Sequence, residues 1–429
     1  MKKLKAIYKK GASQNYIPPN LYSENQVKQG LRNENGTGVK VGLTKICDVI
    51  GYKIQNGQKK EIPGELIYRG YPIQILIHRQ NGKKIQGYEE TAFLLIFGKL
   101  PSQRELNWFQ SVWKHPKEPE LCLDYHSSNL LNALQIEILK MYGQDLNPEA
   151  DCLEDRFEKG IHILSVIPLL IFSHFYGKPI LSYPLPEKSL AENILTWVRK
   201  NETYTFQEAK VMDTLLMLHA DHGGGNNSTF ANVVISSTGT DIYSCISAAI
   251  GSLKGPRHGG AASKVSMQFE AIIKEIGVTS DPIVLKDLIH RILNKDFFDH
   301  SGLIYGIGHA IYTYSDPRAK IIKEECKKLA IEKNELDLFN MLDMFEKSAV
   351  EIMRKEKNII CCANIDFYSG FAYRMLHIDS SLFTPLFAIS RIAGWIAHHL
   401  ENRQSNRKLI RPANVYVGGI YNESNNHSI

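Results

Sequence analysis

The 429-residue sequence has no Cys-x-x-Cys pair, no His-Glu-x-x-His helix signature, and no Gly-Lys-Ser/Thr after its longest glycine run, Gly223-Gly224-Gly225. The first absence, with an odd total of seven scattered cysteines (47, 122, 152, 245, 326, 361, 362), argues against a disulfide framework. It favours free thiols in a reducing compartment. The other two exclude the commonest helical zinc site and a nucleotide P-loop. No internal repeat or low-complexity tract is present. The longest apolar run, residues 161–176, is broken by His162, Pro168 and His174; too short and interrupted to span a bilayer, it reads as a buried core helix. Charge of one sign is also scarce: 51 Lys and Arg against 45 Asp and Glu leave +6, too mild and dispersed to argue for nucleic acid. Residues 1–10 are basic but lack the apolar core of a signal peptide and the arginines of a transit peptide. The expectation is a frayed, solvated end on a cytoplasmic protein with no membrane span.

What is present suits a globular protein of about two domains, with 43% hydrophobic and 22% charged residues. Residues 38–70 form the one β-rich stretch: 39–47 alternates partly, 49–54 leads into the turn-forming Asn56-Gly57, and 66–70 could close a small sheet. Helical spacing dominates beyond it. A helix over 91–97 ends at Gly98, and others are expected over 129–142, 190–200, 207–219, 242–253, 263–276 and 336–355. The last long helix is expected over 385–401, with Thr384 as N-cap and Pro385 first in the helix. The fold class is mainly α.

Four islands in the second half carry candidate chemistry: Leu218-His-Ala-Asp-His-Gly-Gly-Gly-Asn-Asn-Ser-Thr229, Gly255-Pro-Arg-His-Gly-Gly-Ala-Ala262, Gly306-Ile-Gly-His-Ala-Ile-Tyr312 running into Asp316-Pro-Arg318, and Asn364-Ile-Asp-Phe-Tyr-Ser-Gly370. Three set a histidine among glycines, where backbone approaches a ligand closely and a proton is exchanged near neutral pH. His258 precedes a helix start, whose positive end disfavours imidazolium; a neutral imidazole there donates a hydrogen bond to a carbonyl oxygen. A capping or packing role is the alternative. Asp366, between Ile365 and Phe367, becomes a stronger base if those neighbours desolvate it; taken singly, an Asp in a turn also serves as a local cap.

His219 and His222, three apart, could share a helix face and suggest a metal, but no Glu or Cys ligand lies nearby in the sequence. Arg391 interrupts an apolar helix and needs a carboxylate, from the protein as a structural salt bridge or from a ligand. Arg318 closes Asp-Pro-Arg and Arg411 precedes Pro412; alone, both read equally as solvated charges.

The order His-x-x-His, Gly-Pro-x-His-Gly-Gly, Gly-x-Gly-His, Asp-Pro-Arg, Asn-x-Asp-Phe-Tyr-Ser-Gly and Arg-x-x-Gly-Trp-Ile-Ala-His resembles the citrate synthase family. The resemblance extends upstream to Gly30-Leu-Arg32, Ile67-Tyr-Arg-Gly-Tyr71 and the stretch 89–98, and covers about residues 30–419. It implies a mainly α homodimer in which an N-terminal extension (1–29) precedes a large domain (30–259 with 378–429) and a small domain (260–377), with the site in the cleft between the last two. It implies condensation of acetyl-CoA with oxaloacetate and water to citrate and CoA, without metal or redox cofactor. By that resemblance Asp366 is the base, His258 holds the thioester oxygen, and His309 polarises and then protonates the oxaloacetate carbonyl. His222, and more weakly His219, bind oxaloacetate; Arg318 and Arg391 grip its carboxylates; Arg411 arrives from the other subunit. Gly306, Gly308 and Asn364 meet CoA.

Gly223, Ala262, Ile307 and Ala310 depart from residues common in the family, and bear on substrate choice and CoA affinity rather than reaction type. The rival readings are a 2-methylcitrate synthase using propionyl-CoA, a catalytically silent CoA-binding homologue, and a metal-dependent hydrolase built on His219 and His222.

Overall fold

The computed structural model describes residues 2–80, 84–116, 127–199, 203–405 and 408–418. Cys122, the expected helix end at Lys200 and the end of the resemblance at Gly419 lie outside the described residues. Of the described residues 59% are helix and 7% strand, so the mainly α expectation holds. It divides into two units, Met1–Val41 with Ile410–Ile429, and Gly42–Leu409.

In the smaller unit the basic start does not fray: it is a helix over Lys2–Gln14, exposed from Leu4 onward. Lys, Leu, Ala and Gln are good helix formers, and solvation of their side chains does not oppose the helix. Residues 410–418 are irregular, and Arg411 is exposed there.

In the larger unit, β1 (Cys47–Gln55), β2 (Gln58–Tyr68) and β3 (Tyr71–Pro72) form an antiparallel sheet in that order. Asn56 and Gly57, at φ 52° and 74°, make the expected two-residue turn that pairs Gln55 with Gln58. One sequence expectation fails. Residues 39–46 are not strand; Val41 and Leu43 point into solvent, at 43% and 101% exposure, so alternation there buries nothing. Pro63-Gly64 lies inside β2, because the register shifts between Ile50 and Tyr52 and leaves 62–64 as a bulge, where proline is tolerated.

That bulge matters to the site. A Cβ on Gly51 would lie 2.4 Å from the Ile311 carbonyl oxygen, and one on Gly64 2.2 Å from that of Ser315. The bare backbone lets the 309–315 loop sit on the sheet, where Gly64 N donates to Ser315 O (3.1 Å) and Tyr312 OH to Glu65 O (2.9 Å).

Two long helices, Leu153–Tyr176 and Phe383–Ser405, run through the core with Trp395, Ile163 and Phe172 fully covered. By length and composition the segments Leu153–Tyr176 and Ser380–Ser405 could cross a membrane, but most of each is buried inside the protein. The last helix starts earlier than expected. A 3-10 turn capped by Asp379 feeds into it at Phe383, so Thr384 is no N-cap and instead donates to Gly259 O. Helices Gly87–Phe97, Leu130–Gln144, Phe206–His219, Ile242–Leu253, Ala261–Ile276 and Leu336–Glu356 lie where spacing put them, within a few residues except for the earlier start at Gly87. Helices Pro282–Leu293 and Pro317–Glu332 escaped the periodicity reading. Each opens on an Asp N-cap followed by Pro, a start signal that could have found them.

Candidate active site

A cavity of about 310 Å³ collects His219, His222, His258, Gly308, His309, Arg318, Asn364, Asp366 and Arg391. They come from six places. His219 ends helix Phe206–His219, with His222 in the turn after it; His258 lies in the turn before helix Ala261–Ile276. Gly308 and His309 belong to the loop on the sheet. Arg318 and Asp366 stand in the first turns of helices Pro317–Glu332 and Ile365–Met375, and Arg391 is on Phe383–Ser405.

His309 has its tautomer fixed by backbone. Nδ1 lies 3.0 Å from both Ile311 N and Tyr312 N, which can only donate, so Nδ1 accepts and the ring proton is on Nε2. The ring is stacked on Tyr312 (4.8 Å) and meets His222 edge-on (5.1 Å). Arg318 Nη2 lies 3.4 Å from His309 Nε2. Two donors therefore face one spot, an arrangement suited to an oxygen that gains negative charge.

Asp366 is carried by a small network. Asn364 caps the helix by accepting from Asp366 N (3.0 Å) and donates its Nδ2–H to Gly308 O (2.8 Å). Gly308 N donates to Cys362 O and Asn364 N to Gly306 O, tying the loop to the helix start. Gly306 does not line the cavity; it is at φ 81°, and a Cβ would come 2.9 Å from Phe367 and Val265, so its role here is this close packing. Burial raises the Asp366 carboxyl to about 6, Arg318 pulling against it and Asp316 adding to it. Of the two flanking apolar residues, Ile365 lines the cavity while Phe367 packs into the core near Phe345.

His258 is pushed down to about 4 by burial and then by Arg391. Its Nε2 is 2.9 Å from Ser228 Oγ, which also accepts from Trp395 Nε1 (3.2 Å) and lies 2.9 Å from Asn226 Oδ1. Trp can only donate, and Asn226 Oδ1 can only accept the one Ser228 proton; with the amide turned over, its nitrogen donates to Ser228 instead and the proton is free for His258. Given to His258 Nε2, it leaves the histidine's own proton on Nδ1. Ser228 and Asn226 stood in a quoted motif but drew no role from the sequence.

The cavity also holds two arginines, Arg318 and Arg391. Arg318 is buried, which works against its charge, but Asp316 more than offsets this through Nε–Oδ1 (3.0 Å) and Nη2–Oδ2 (2.7 Å) contacts. It is not a solvated surface charge. Arg391 is fully buried, with Nε donating to His219 O (2.6 Å), while Nη1 and Nη2 have no protein partner. The structural salt bridge open at the sequence level is therefore absent among the described residues. Asp221, whose charge favours that of Arg391, gives its Oδ2 to His398 (3.0 Å) instead. His219 and His222 are both held neutral by burial first and then by Arg318. His222 Nε2 is buried without a partner, and His219 Nδ1 donates to Leu215 O. Among the described residues no three His, Cys, Asp or Glu side chains gather as a metal site.

A base above ordinary carboxylate strength, three histidines held neutral and an unpaired buried guanidinium suit carbon–carbon bond formation on a carboxylate substrate. The sequence matches the family model described as citrate synthase, C-terminal domain, over residues 33–413. It is 33% identical over 370 residues to a citrate synthase of Saccharolobus solfataricus, covering 84% of this chain and 92% of that protein. It is 31% identical over 361 residues to a 2-methylcitrate synthase of Shewanella oneidensis, covering 82% and 88%. The fold matches a Thermoplasma acidophilum citrate synthase solved as a ternary complex with carboxymethyl coenzyme A and oxaloacetate, with a TM-score of 0.76 and 26% identity over 92% of this chain and 97% of that one. By sequence and fold together, the chain belongs to the citrate synthase family.

Proposed function

We propose that the protein condenses acetyl-CoA with oxaloacetate and water to give citrate and CoA, at the cavity between Asp366 and Arg391. The observation that carries this is the pair of unpartnered Nη atoms on buried Arg391, which lines the same cavity as a carboxylate raised to about 6. A desolvated fork with no protein acid in contact is a receptor for a carboxylate ligand.

In this reading Asp366 takes a proton from the acetyl methyl carbon, and His258 donates from Nδ1 to the thioester oxygen as the enol forms. The carbon attacks the ketone of oxaloacetate. His309 Nε2 donates its proton to the ketone oxygen as it becomes an alkoxide, and Arg318, 3.4 Å from that nitrogen, stabilises the charge left behind. Water then cleaves the thioester, releasing CoA. Arg318, Arg391 and His222 orient oxaloacetate, with His219 holding Arg391 through its carbonyl. Gly308 and Asn364 meet CoA, and Gly306 supports them from behind. No metal or redox cofactor takes part.

The site works in a homodimer, each cavity completed by Arg411 of the other subunit, and 260–377 moves as a small domain to exclude water before condensation. The cytoplasm is the working compartment, a reading supported by six free thiols among the described cysteines. The shared-site claim has a direct test. Inactive Arg411→Ala and Asp366→Ala chains, unfolded together and refolded as mixed dimers, should regain a fraction of wild-type turnover, because one of the two sites in a hybrid is then intact. Mixed dimers that stay inactive would remove Arg411 from the site.

The overall reaction is tested by CoA release that requires both substrates together. Release from acetyl-CoA alone would instead indicate a thioester hydrolase. A 2-methylcitrate synthase is the second reading, favoured by the Shewanella relative, and propionyl-CoA in place of acetyl-CoA separates the two.

A further inference from the structure

One stretch of the cavity wall has no part in the chemistry above. On helix Ile365–Met375 the residues three and seven beyond the base, Ser369 and Tyr373, line the same cavity, as spacing on one helix face requires. Phe383 and Phe387, four apart and four to eight residues before Arg391 on the next helix, line it from the other side. Tyr373 and Phe383 pack ring on ring, centroids 4.9 Å apart, at 2% and 3% exposure. Phe387 is held edge-on by His219 (4.7 Å), lies under the Arg391 guanidinium (4.6 Å) and meets the His258 ring edge-on (6.2 Å), so side chains already given roles hold it in place. Tyr373 and Phe383 are held by each other instead.

The direction of an acyl group in this cavity follows from the order of residues along the helix, given the reaction proposed above. CoA approaches at the N-terminal end, by Asn364 and Gly308, and the reacting carbon lies at Asp366. A substituent on that carbon points away from the CoA side, toward the next turns of the helix. The Cα of Tyr373 is about 10 Å further along the axis than that of Asp366. Long helical side chains lean back toward the N-terminus, which returns the Tyr373 ring toward the level of the base. Burial first, and then the charge of Asp366, raise the Tyr373 phenol, in keeping with that closeness.

We infer that the Tyr373–Phe383 ring pair is the floor of the acyl pocket and sets how long an acyl chain the enzyme accepts. An added methyl on the reacting carbon would have to displace one of two nearly fully buried, mutually packed rings, whereas an acetyl group would not. Aromatic floors of this kind discriminate by excluded volume, and one methylene in such a pocket is worth about 10- to 200-fold.

The test is the ratio of kcat/KM for propionyl-CoA to that for acetyl-CoA, measured for wild type, Tyr373→Leu, Phe383→Leu and Tyr373→Phe. Shortening either ring to Leu should raise the ratio about tenfold or more. Tyr373→Phe should leave it within about threefold, since the ring and not the hydroxyl forms the floor. Two truncations from different helices keep the result readable if one of them misfolds, and a third, Phe383→Val, replaces whichever fails. A ratio unchanged in folded truncations that still turn over acetyl-CoA would overturn the inference and leave the reaction intact. Wild type inactive with both thioesters would instead overturn the reaction assignment, so the two failures are distinguishable.

Discussion

Asp366→Asn is expected to fold as well as wild type at pH 8 and to lose about 10²- to 10⁴-fold in kcat, the usual contribution of a positioned general base. Asn keeps the shape and the contact of the cap at Asn364, but it takes no proton from carbon. The same carboxyl sets the acid side of the wild-type pH profile. With its pKa raised to about 6 by burial, the rate should fall about tenfold per unit as pH drops below 6, and the variant's residual rate should lack that limb. The stability sign follows from linkage. The folded carboxyl binds its proton more tightly than the unfolded one, so its contribution to stability is full below the ordinary carboxylate pKa and is lost as pH rises through about 6. At pH 8 the charged side chain is a burden on the fold, which is why Asn should not destabilise it. Near-normal turnover in folded Asp366→Asn, by CoA release, would remove the base from the account.

Arg391→Met should separate binding from folding in the same cavity. The wild-type guanidinium is fully buried, burial acts against its charge, and two of its nitrogens have no protein partner. Replacing a buried ionic group by an apolar one of similar length is often neutral or stabilising. The variant should therefore melt no lower than wild type. Its kcat/KM for oxaloacetate should fall by about 30- to 5,000-fold, since losing one partner of a buried charge-assisted pair costs about 2–5 kcal/mol. KM for acetyl-CoA should change little. Oxaloacetate should also raise the melting temperature of wild type and not of the variant, because a ligand stabilises only a state that binds it. An unchanged oxaloacetate KM would mean that Arg391 meets no substrate carboxylate.

The sequence made the chemistry more legible than the supports. Histidines set among glycines, an Asp in an apolar context and an Arg in an apolar helix were all readable, because such residues conflict with local structure unless a site uses them. Most helices were readable by spacing, since burial of one face imposes it. What was hidden depends on contacts far apart in the chain. Ser228 bonds His258 thirty residues on, and Asp316 occupies the guanidinium edge of Arg318 that would otherwise seem available. Residues 39–46 alternate without a partner strand, whereas Pro63-Gly64 looks like a break yet belongs to the bulge that seats the His309 loop. The acyl-pocket floor escaped the sequence altogether, because Tyr373 and Phe383 read as ordinary core residues until two helices bring their rings together.

The measurement that most directly tests the central claim is product analysis of the purified protein given oxaloacetate and acetyl-CoA labelled with ¹³C at both acetyl carbons. The account predicts one CoA released for each citrate formed, with both labelled carbons in that citrate and no CoA release when either substrate is left out. Labelled acetate in place of citrate, or no CoA release from protein shown to be folded, would contradict it.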